Sequence, residues 1–365
     1  MSVLYRKYRP KTFSEVVGQE NIVKTITNAI KQGRISHAYL FYGPRGCGKT
    51  TLARLIAKAL NCQKRKEGSF EPCNECISCF EINEGNAIDL IEIDAASNRG
   101  IDEIRDLKEG ISVVPVKSKY KVYIIDEAHQ LTKEASNALL KTLEEPPKYA
   151  VFILCTTEYG KIIPTIASRC QQFEFKKLTV PEIVKKLEFI CKKEQRKCQK
   201  EALELIAKKS EGAIRDAESF LNKVFTLEDK EIKKDGVKEI LGIVGTESLS
   251  KLVDLIAKKD EKEAIAFVNE INQSGFDIET FIREFNSYLR NLLLIKVNPE
   301  IFNDNEIFTK EEEKALLAQR EFFSESQLVE ILKIFIDVQN QIKWQYIPIL
   351  PLELGVIDSI NVLKR

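Results

Sequence analysis

The chain has 365 residues, of which 44% are hydrophobic and 30% are charged, and its formal net charge is +1. This balance excludes nucleic-acid binding through a global basic field, so any DNA contact must come from a local arrangement of charges. The N-terminal residues lack the apolar stretch of a signal peptide, and no run of 18 or more apolar residues occurs, so we expect a cytoplasmic protein.

Strand-like and helix-like segments alternate over about the first 175 residues. The apolar run at 38–43 predicts a buried strand, and the apolar spacing from Leu52 to Leu60 predicts an amphipathic helix after it. Another helix, with apolar residues from Ala135 to Leu143, stops at a pair of prolines. Further strands are predicted at 89–95, 121–126 and 150–157. The alternation predicts an α/β fold, with a parallel sheet covered by helices on both faces.

Beyond Phe175 the pattern changes to helices only. Pro181 is predicted to open one helix, and others are predicted at 202–209 and 213–225. A glycine-containing stretch at 242–245 marks a second boundary. Two apolar stripes follow, and each needs partner helices inside the chain or in another subunit. The stripes are Phe281, Phe285, Tyr288, Leu289 and Leu292, and Leu328, Ile331, Leu332, Phe335 and Val338.

A glycine-rich loop, GPRGCGKT, follows the strand at 38–43 and opens the next helix. It fits the pattern G-x4-G-K-T, whose glycines let backbone N–H groups turn inward around phosphates. Lys49 is predicted to reach the β- and γ-phosphates of ATP, and the Thr50 hydroxyl to bind Mg²⁺. The predicted nucleotide-binding residues here are Gly43, Pro44, Gly46, Cys47, Gly48, Lys49, Thr50 and Thr51.

Two acidic residues follow the strand predicted at 121–126, in the segment KVYIIDEAH. Four strand-forming residues deliver Asp126 and Glu127 to the carboxyl end of that strand, where ligands bind in open α/β sheets. Asp126 is predicted to hold Mg²⁺, and Glu127 to polarise the attacking water. His129 is expected to be a packing or surface residue.

Four of the nine cysteines lie within 18 residues with the spacing C-x10-C-x2-C-x2-C. They are Cys62, Cys73, Cys76 and Cys79. Four thiolates suit tetrahedral Zn²⁺, and a closed four-cysteine site predicts a structural role. Unconnected structural thiols, a redox dithiol and an iron–sulfur cluster remain as alternatives. The other cysteines, including Cys47, are expected to be small packing residues.

Together these segments resemble the tau/gamma subunit family of bacterial DNA polymerase III, the AAA+ ATPases of the sliding-clamp loader. The resemblance rests on motifs in the expected order across about residues 1–225, and the helical remainder agrees in length and class. The motifs are YRPKTFSEVVGQE, SHAYLFYGPRGCGKTTLAR, the four cysteines, IDEAHQLTKEASNALLKTLEEPP, TTEYGKIIPTIASRCQQFEF and SEGAIRDAESF.

The resemblance implies roles that periodicity does not reveal. Thr157, beside Thr156, is similar to the sensor-1 residue that orients the lytic water or the γ-phosphate. Arg169 is similar to the arginine that reaches a neighbouring subunit's nucleotide, and Arg215 to the sensor-2 arginine of the same subunit. The family pattern places Arg9, Pro10, Val17 and Gly18 on the adenine side. Candidate contacts to the DNA backbone are Arg99, Arg105, Lys161 and Thr165.

The resemblance also implies three domains: an AAA+ domain at 1–178 with a zinc insert at 62–79, a helical lid at 179–242, and a helical oligomerisation collar at 243–365. The implied activity is ATP hydrolysis with Mg²⁺, used to open, load and release the clamp, with no polymerase site in this chain. The implied partners are delta-type and delta-prime-type subunits, further copies of the chain, the sliding clamp and primed DNA.

Residues of the same motifs disfavour two other classes of function. A helicase loader, a branch-migration motor or a eukaryotic-type clamp-loader small subunit is disfavoured by the four-cysteine insert. A non-enzymatic scaffold with a decayed nucleotide site is disfavoured because Lys49, Asp126 and Glu127 are all present.

Overall fold

The structure, a computed structural model, describes residues 3–97, 110–111, 113–227, 231–242, 245–274, 276–298, 310–342 and 344–365. The chain forms two compact units, Met1–Lys234 and Asp235–Arg365. This division leaves the three-domain organisation, with boundaries at 178 and 242, as a prediction.

A parallel sheet forms the centre of the first unit. Its strands are β1 (Ala38–Tyr42), β2 (Leu90–Asp94), β3 (Lys121–Asp126), β4 (Ala150–Thr156) and β5 (Gln171–Glu174). The order in the sheet is β2–β3–β4–β1–β5. Strand β1 therefore lies between β4 and β5, which follow it much later in the chain. Strand β5 was not predicted, because its residues contain no apolar run and it joins the sheet only by pairing with β1.

The middle of the sheet aligns the strand ends at which ligands bind. Strand β4 is buried along its whole length and lies between β3 and β1. Its residue Thr156 pairs with Tyr42, and Leu154 pairs with Ile125. The carboxyl ends of all three strands therefore meet at one edge, the usual ligand edge of open α/β sheets.

Helices cover both faces of the sheet, as predicted. The first unit contains α1 (Leu4–Lys7), α2 (Glu20–Gln32), α3 (Lys49–Asn61), α4 (Ile77–Glu84), α5 (Lys133–Glu144), α6 (Pro164–Ala167), α7 (Val180–Lys193), α8 (Lys200–Lys209) and α9 (Ile214–Leu227). Helix α5 buries Ala135, Leu139 and Leu143 in one cluster with Tyr123 and Phe152 of the sheet. Helix α3 contacts β3 and β4 but contributes nothing to that cluster, so the two helices cover opposite faces.

Helices α7, α8 and α9 follow the sheet and pack on one another. Helix α7 begins beside Pro181, as predicted, with a capping box between Thr179 and Glu182. Two short strands, β6 (Lys197–Cys198) and β7 (Glu231–Ile232), pair in parallel in this region. They were not predicted, because two-residue strands carry no periodicity.

The second unit is helical in its described residues, with α10 (Lys234–Leu241) starting at the boundary. The helices that follow are α11 (Thr246–Ala257), α12 (Glu261–Gln273), α13 (Ile278–Val297), α14 (Lys310–Gln319), α15 (Glu325–Ile342) and α16 (Leu350–Lys364). The two predicted apolar stripes lie on α13 and α15 and share one buried cluster, in which the Phe285 and Phe335 ring centroids are 4.7 Å apart. No helix among the described residues has the length and hydropathy to cross a membrane.

Gly355 lies where α16 packs closely against α15. A Cβ atom at this position would lie 2.6 Å from Val338 Cγ2, closer than van der Waals contact permits. We expect Gly355→Ala to destabilise the second unit by about 1–2 kcal/mol, because overpacking outweighs the gain in helix propensity. Urea unfolding, with hydrogen exchange of the α16 amides, measures this change.

Gly245→Ala is the matched control, because a Cβ there would meet no atom within 4 Å. Equal unfolding midpoints for the two variants would contradict the packing argument.

Candidate functional site

The phosphate loop leaves β1 at Gly43 and enters α3 at Lys49. Gly43 has a φ of 141°, and a Cβ there would lie 2.2 Å from the Phe175 carbonyl oxygen. Gly46 has a φ of 77°, and its Cβ would lie 2.9 Å from Ala213 Cβ, just before α9. Only glycine fits these two positions, because the loop passes against β5 and the start of α9.

The side chains at the start of α3 make the polar contacts of the loop. Lys49 is buried, and its Nζ donates to the carbonyl oxygens of Gly43 and Pro44, both at 2.7 Å. The Thr50 hydroxyl donates to Asp126 Oδ2 at 2.8 Å. The two oxygen atoms predicted to bind Mg²⁺ are therefore adjacent, although 76 residues separate them in the chain.

Glu127 occupies a strained backbone position directly after β3. Its φ of 48° lies in the left-handed region, which is uncommon for a residue with a side chain and is concentrated at functional sites. Its Oε2 accepts hydrogen bonds from the Thr157 backbone N–H at 3.2 Å and from the Thr157 hydroxyl at 2.9 Å. Two residues predicted from separate motifs thus form one contact.

The His129 side chain is buried beside this contact, and its ring forms polar contacts in addition to packing. Its imidazole is 4% exposed, and Nδ1 shares a hydrogen bond of 2.9 Å with the Thr156 hydroxyl. Nδ1 is also 3.4 Å from Glu127 Oε2, and Nε2 is 3.2 Å from a carboxylate oxygen of Glu158. The ring therefore links the ends of β3 and β4.

One cavity extends from the phosphate loop towards α1 and α9. Three of the predicted adenine-side residues, Arg9, Pro10 and Val17, line it, whereas Gly18 lines a neighbouring cavity beside Val17. Arg215 also lines the cavity, with its guanidinium carbon 4.9 Å from the centroid of the Tyr5 ring. Three of the four predicted base-side residues and the predicted sensor-2 residue are thus on the same cavity as the phosphate loop.

Sequence reasoning missed seven residues of this cavity, among them Tyr5, Lys186 and Glu218. Lys186 is buried, and its Nζ donates to the Tyr8 carbonyl oxygen at 3.0 Å. Glu218 is 5% exposed, and burial raises its pKa to about 7 against the attraction of Lys186 and Arg9. The sequence did contain a signal for Glu218, because this acidic residue lies on the otherwise apolar face of α9.

Arg169 does not line this cavity. It follows α6, and its guanidinium is 2.6 Å from Glu144 Oε1 and donates to the Thr165 carbonyl oxygen at 2.8 Å. Its side chain is 34% exposed.

The candidate DNA-binding residues are only partly described. Lys161 forms an ion pair of 2.7 Å with Glu158, and Thr165 lies in the first turn of α6. Arg99 and Arg105 lie outside the described residues. DNA contact by these four residues stays a prediction.

The four clustered cysteines converge between the end of α3 and the first turn of α4. Their sulfur atoms all lie within 4.8 Å of one another. Two separations, Cys73 to Cys79 and Cys62 to Cys76, are 3.9 and 4.0 Å. A tetrahedral Zn²⁺ site with 2.3 Å bonds requires sulfur–sulfur separations of about 3.8 Å, so the donor set fits this ion. Backbone N–H groups of Glu75 and Cys76 point at the Cys73 sulfur, as around many metal thiolates.

Three protein-family models match consecutive parts of the chain. Residues 18–179 match the model described as DNA polymerase III, delta subunit. Residues 182–224 match the ATPase lid domain of the DNA polymerase III clamp loader subunit, and residues 232–363 match domain III of DNA polymerase III subunits gamma and tau.

Whole proteins that are similar to this chain are also subunits of DNA polymerase III. The chain is 42% identical to DNA polymerase III subunit tau of Bacillus subtilis over 97% of its own length and 62% of that protein. It is 37% identical to DNA polymerase III subunit gamma of Buchnera aphidicola over 100% of its own length and 99% of that protein. A solved structure of a RuvB variant from Thermotoga maritima, 24% identical, matches 68% of this chain and 79% of that chain with a TM-score of 0.50, which shows a shared fold.

The buried carboxyl of Glu218 predicts a pH-dependent stability. Its folded pKa, about 7, lies above the ordinary 4.5, so the native state loses stability as the pH rises between these values. The upper limit of this loss is about 3 kcal/mol. We expect Glu218→Gln to remove it, so that nucleotide-free wild type and variant diverge between about pH 5 and pH 8 in urea unfolding followed by circular dichroism.

Glu188→Gln, at an exposed position on α7, is the control and should keep the wild-type pH dependence. Parallel pH profiles for wild type and Glu218→Gln would exclude the buried carboxyl as the cause.

Proposed function

Because the chain belongs to the tau and gamma subunit family of DNA polymerase III, we propose that it is an ATPase subunit of the sliding-clamp loader. The observation that carries this proposal is one junction, in which Lys49, Thr50, Asp126 and Glu127 line the same cavity and Thr157 donates two hydrogen bonds to Glu127. An intact junction of this kind favours a hydrolysing subunit over one with a decayed nucleotide site.

The phosphate loop and Lys49 bind the triphosphate. The Lys49 ammonium, which is bonded to loop carbonyls, turns to the β- and γ-phosphates, and loop N–H groups surround them. The hydroxyl of Thr50 and the carboxylate of Asp126 would hold Mg²⁺, which their 2.8 Å contact supports. This ion, when bound, neutralises charge on the phosphate oxygens.

Glu127 and Thr157 act on the attacking water. The carboxylate of Glu127 accepts a proton or a hydrogen bond from the water, and Thr157 holds that carboxylate in place through its two hydrogen bonds. His129 is a positioning residue, because its ring supports both strand ends. Phosphoryl transfer depends on such positioning more than on covalent chemistry.

The two arginines are proposed to serve different nucleotides. Arg215 would contact the γ-phosphate of its own chain's nucleotide, a role that its position on the cavity supports. Arg169 lies outside that cavity and is partly exposed, which supports a role at a neighbouring subunit's nucleotide. An arginine supplied by a neighbour can contribute roughly 10³ to 10⁵ in rate, so that hydrolysis depends on correct assembly.

The proposed partners are delta-type and delta-prime-type subunits, other copies of this chain, the sliding clamp and primed DNA. ATP binding favours the state that grips and opens the clamp, and hydrolysis favours release around the duplex. Contacts from Lys161 and Thr165, with Arg99 and Arg105, to the DNA backbone are part of this proposal and would be salt-sensitive.

We also propose that Cys62, Cys73, Cys76 and Cys79 bind one structural Zn²⁺, because their sulfur separations suit its tetrahedral geometry. A closed set of four thiolates leaves no position for a substrate. The ion would fix the excursion between α3 and α4.

The test of function is ATP turnover by the chain assembled with delta-type and delta-prime-type subunits. We expect clamp and primed DNA together to stimulate turnover. Arg169→Ala should remove the stimulation, lowering turnover on the order of 10³-fold, while nucleotide affinity stays within about twofold. Arg34→Ala, at an exposed arginine outside the cavity, is the control.

If clamp and primed DNA leave ATP turnover unchanged, the chain would remain assigned as an ATPase, but its role in loading the clamp would be rejected. Equal turnover by Arg169→Ala and Arg34→Ala would reject the role of Arg169 at a neighbouring nucleotide.

The zinc proposal predicts about one Zn²⁺ per chain by elemental analysis of protein purified without added metal. Cys79→Ser should lose most of the metal, because Cys79 is a fully buried ligand of the set, whereas Cys170→Ser should retain it. Iron with visible absorption, or metal content below about 0.1 per chain in the wild type, would reject the proposal.

A further inference from the structure

A second group of cysteines lies away from the four clustered ones and outside the nucleotide cavity. Cys191 belongs to the last turns of α7, and Cys198 is the second residue of β6. Their sulfur atoms are 2.7 Å apart. This separation is well inside the 3.5–4.0 Å of ordinary van der Waals contact and only about 0.7 Å longer than a covalent S–S bond.

The backbone between the two residues explains this proximity. Helix α7 ends in a Schellman motif, in which the Arg196 N–H donates to the Cys191 carbonyl at 2.9 Å and the Gln195 N–H donates to the Lys192 carbonyl at 3.2 Å. Gln195 has a φ of 55°, which reverses the chain. The pairing of Cys198 with Ile232 of β7 then holds β6 across the end of α7.

The two thiols differ in access and acidity. Cys191 is buried, and its contact with Cys198 together with burial raises its pKa. Cys198 is half-buried, and its contact with Cys191, aided by the Arg196 guanidinium, lowers its pKa. An accessible, more acidic thiol beside a buried one is the arrangement in which the first reacts with an oxidant and the second resolves the product.

We propose that Cys191 and Cys198 form a reversible disulfide site that is oxidised by peroxides. The Cys198 thiolate attacks one peroxide oxygen and breaks the O–O bond, which gives a sulfenic acid and, after proton uptake, one water. The Cys191 sulfur then attacks the Cys198 sulfur, and the displaced hydroxide leaves as a second water with the Cys191 proton. Two thiols and one hydrogen peroxide thus give one disulfide and two waters.

The pair does not resemble the metal site of the same chain. Among the described residues, Cys191 and Cys198 belong to no group of three or more His, Cys, Asp or Glu side chains that could hold a metal ion, whereas the four clustered cysteines form one. Two thiolates alone leave half of a tetrahedral Zn²⁺ shell unfilled. Disulfide formation, in contrast, requires these two sulfurs to move by only about 0.7 Å.

The oxidised pair would fasten the end of α7 to β6. Helix α7 carries Lys186 into the nucleotide cavity, where its Nζ bonds to the Tyr8 carbonyl. The disulfide therefore places an oxidation-sensitive link on a helix of the nucleotide site, without using any residue that contacts the nucleotide.

The test treats the full-length, zinc-loaded chain with increasing hydrogen peroxide, blocks free thiols with N-ethylmaleimide, and maps tryptic peptides by mass spectrometry. Trypsin cuts after Lys192, Lys193, Arg196 and Lys197, so a Cys191–Cys198 disulfide holds together two peptides that dithiothreitol separates. We expect this linked pair to form at least about tenfold faster than oxidation of Cys170, whose pKa burial raises to about 12.

Two variants separate the chemical steps. Cys191→Ala should leave a Cys198 sulfenic acid that dimedone labels, because the resolving thiol is absent, whereas Cys198→Ser should give neither disulfide nor label. Cys170→Ser should leave the linked pair unchanged. The proposal would be overturned if Cys191 and Cys198 were oxidised no faster than Cys170. It would also be overturned if either residue formed disulfides with other cysteines as often as with its partner in the pair.

Discussion

The parallel ladder of β3, β4 and β1 determines the position of the candidate catalytic side chains. Every residue of β4 is buried, so its backbone groups must bond to the strands on either side. That register brings the Gly43 N–H to the Thr156 carbonyl at 3.2 Å and aligns the loops after all three strands. The contact of Glu127 with Thr157 then follows from the ends of the neighbouring strands β3 and β4. Thr50, at the start of α3, meets Asp126 at the same edge of the sheet. A shift of one residue in either pairing would reverse the side chains and separate these groups.

The cavity is lined by three parts of the first unit, which are the sheet edge with its loops, the N-terminal segment that contains Arg9 and Val17, and the helices α7 and α9. The close approach of Gly46 to Ala213 brings α9 against the phosphate loop, and Lys186 and Arg215 approach from the helices. A nucleotide bound in this cavity would contact residues from more than one of these parts. A ligand shifts a conformational equilibrium only if its contacts differ in strength between the two conformations, and a site shared by separate parts of the chain meets this requirement. The buried carboxyl of Glu218 interacts electrostatically with Lys186 and Arg9, so its ionisation changes the charge of this cavity.

The cysteines of the chain fall into two chemically different sets. The four clustered sulfurs lie within 4.8 Å of one another, and their local spacing had already predicted one shared site. Cys191 and Cys198 form a pair that the sequence analysis assigned to packing, since neither C-x2-C spacing nor any motif connects them. Their proximity depends on the left-handed residue Gln195 and on the pairing of β6 with β7, two features without a sequence period. The same residue type therefore serves different chemistry according to its three-dimensional neighbours.

Much of the fold and part of the site could be predicted from the sequence, because the relevant signals are local. The phosphate loop, the acidic pair after β3, the helix stripes and the cysteine spacing each lie within about twenty residues, where chain geometry links pattern to structure. Strand β5, the burial of Glu218, the bond from Thr157 to Glu127 and the Cys191–Cys198 contact could not be predicted in this way. Each depends on which distant surfaces pack together and in which register, and periodicity along the chain does not encode that information. The sequence by itself determined the chemical groups available for ATP, Mg²⁺ and Zn²⁺, and only the tertiary structure decided which of them meet, because packing places side chains that chain distance separates.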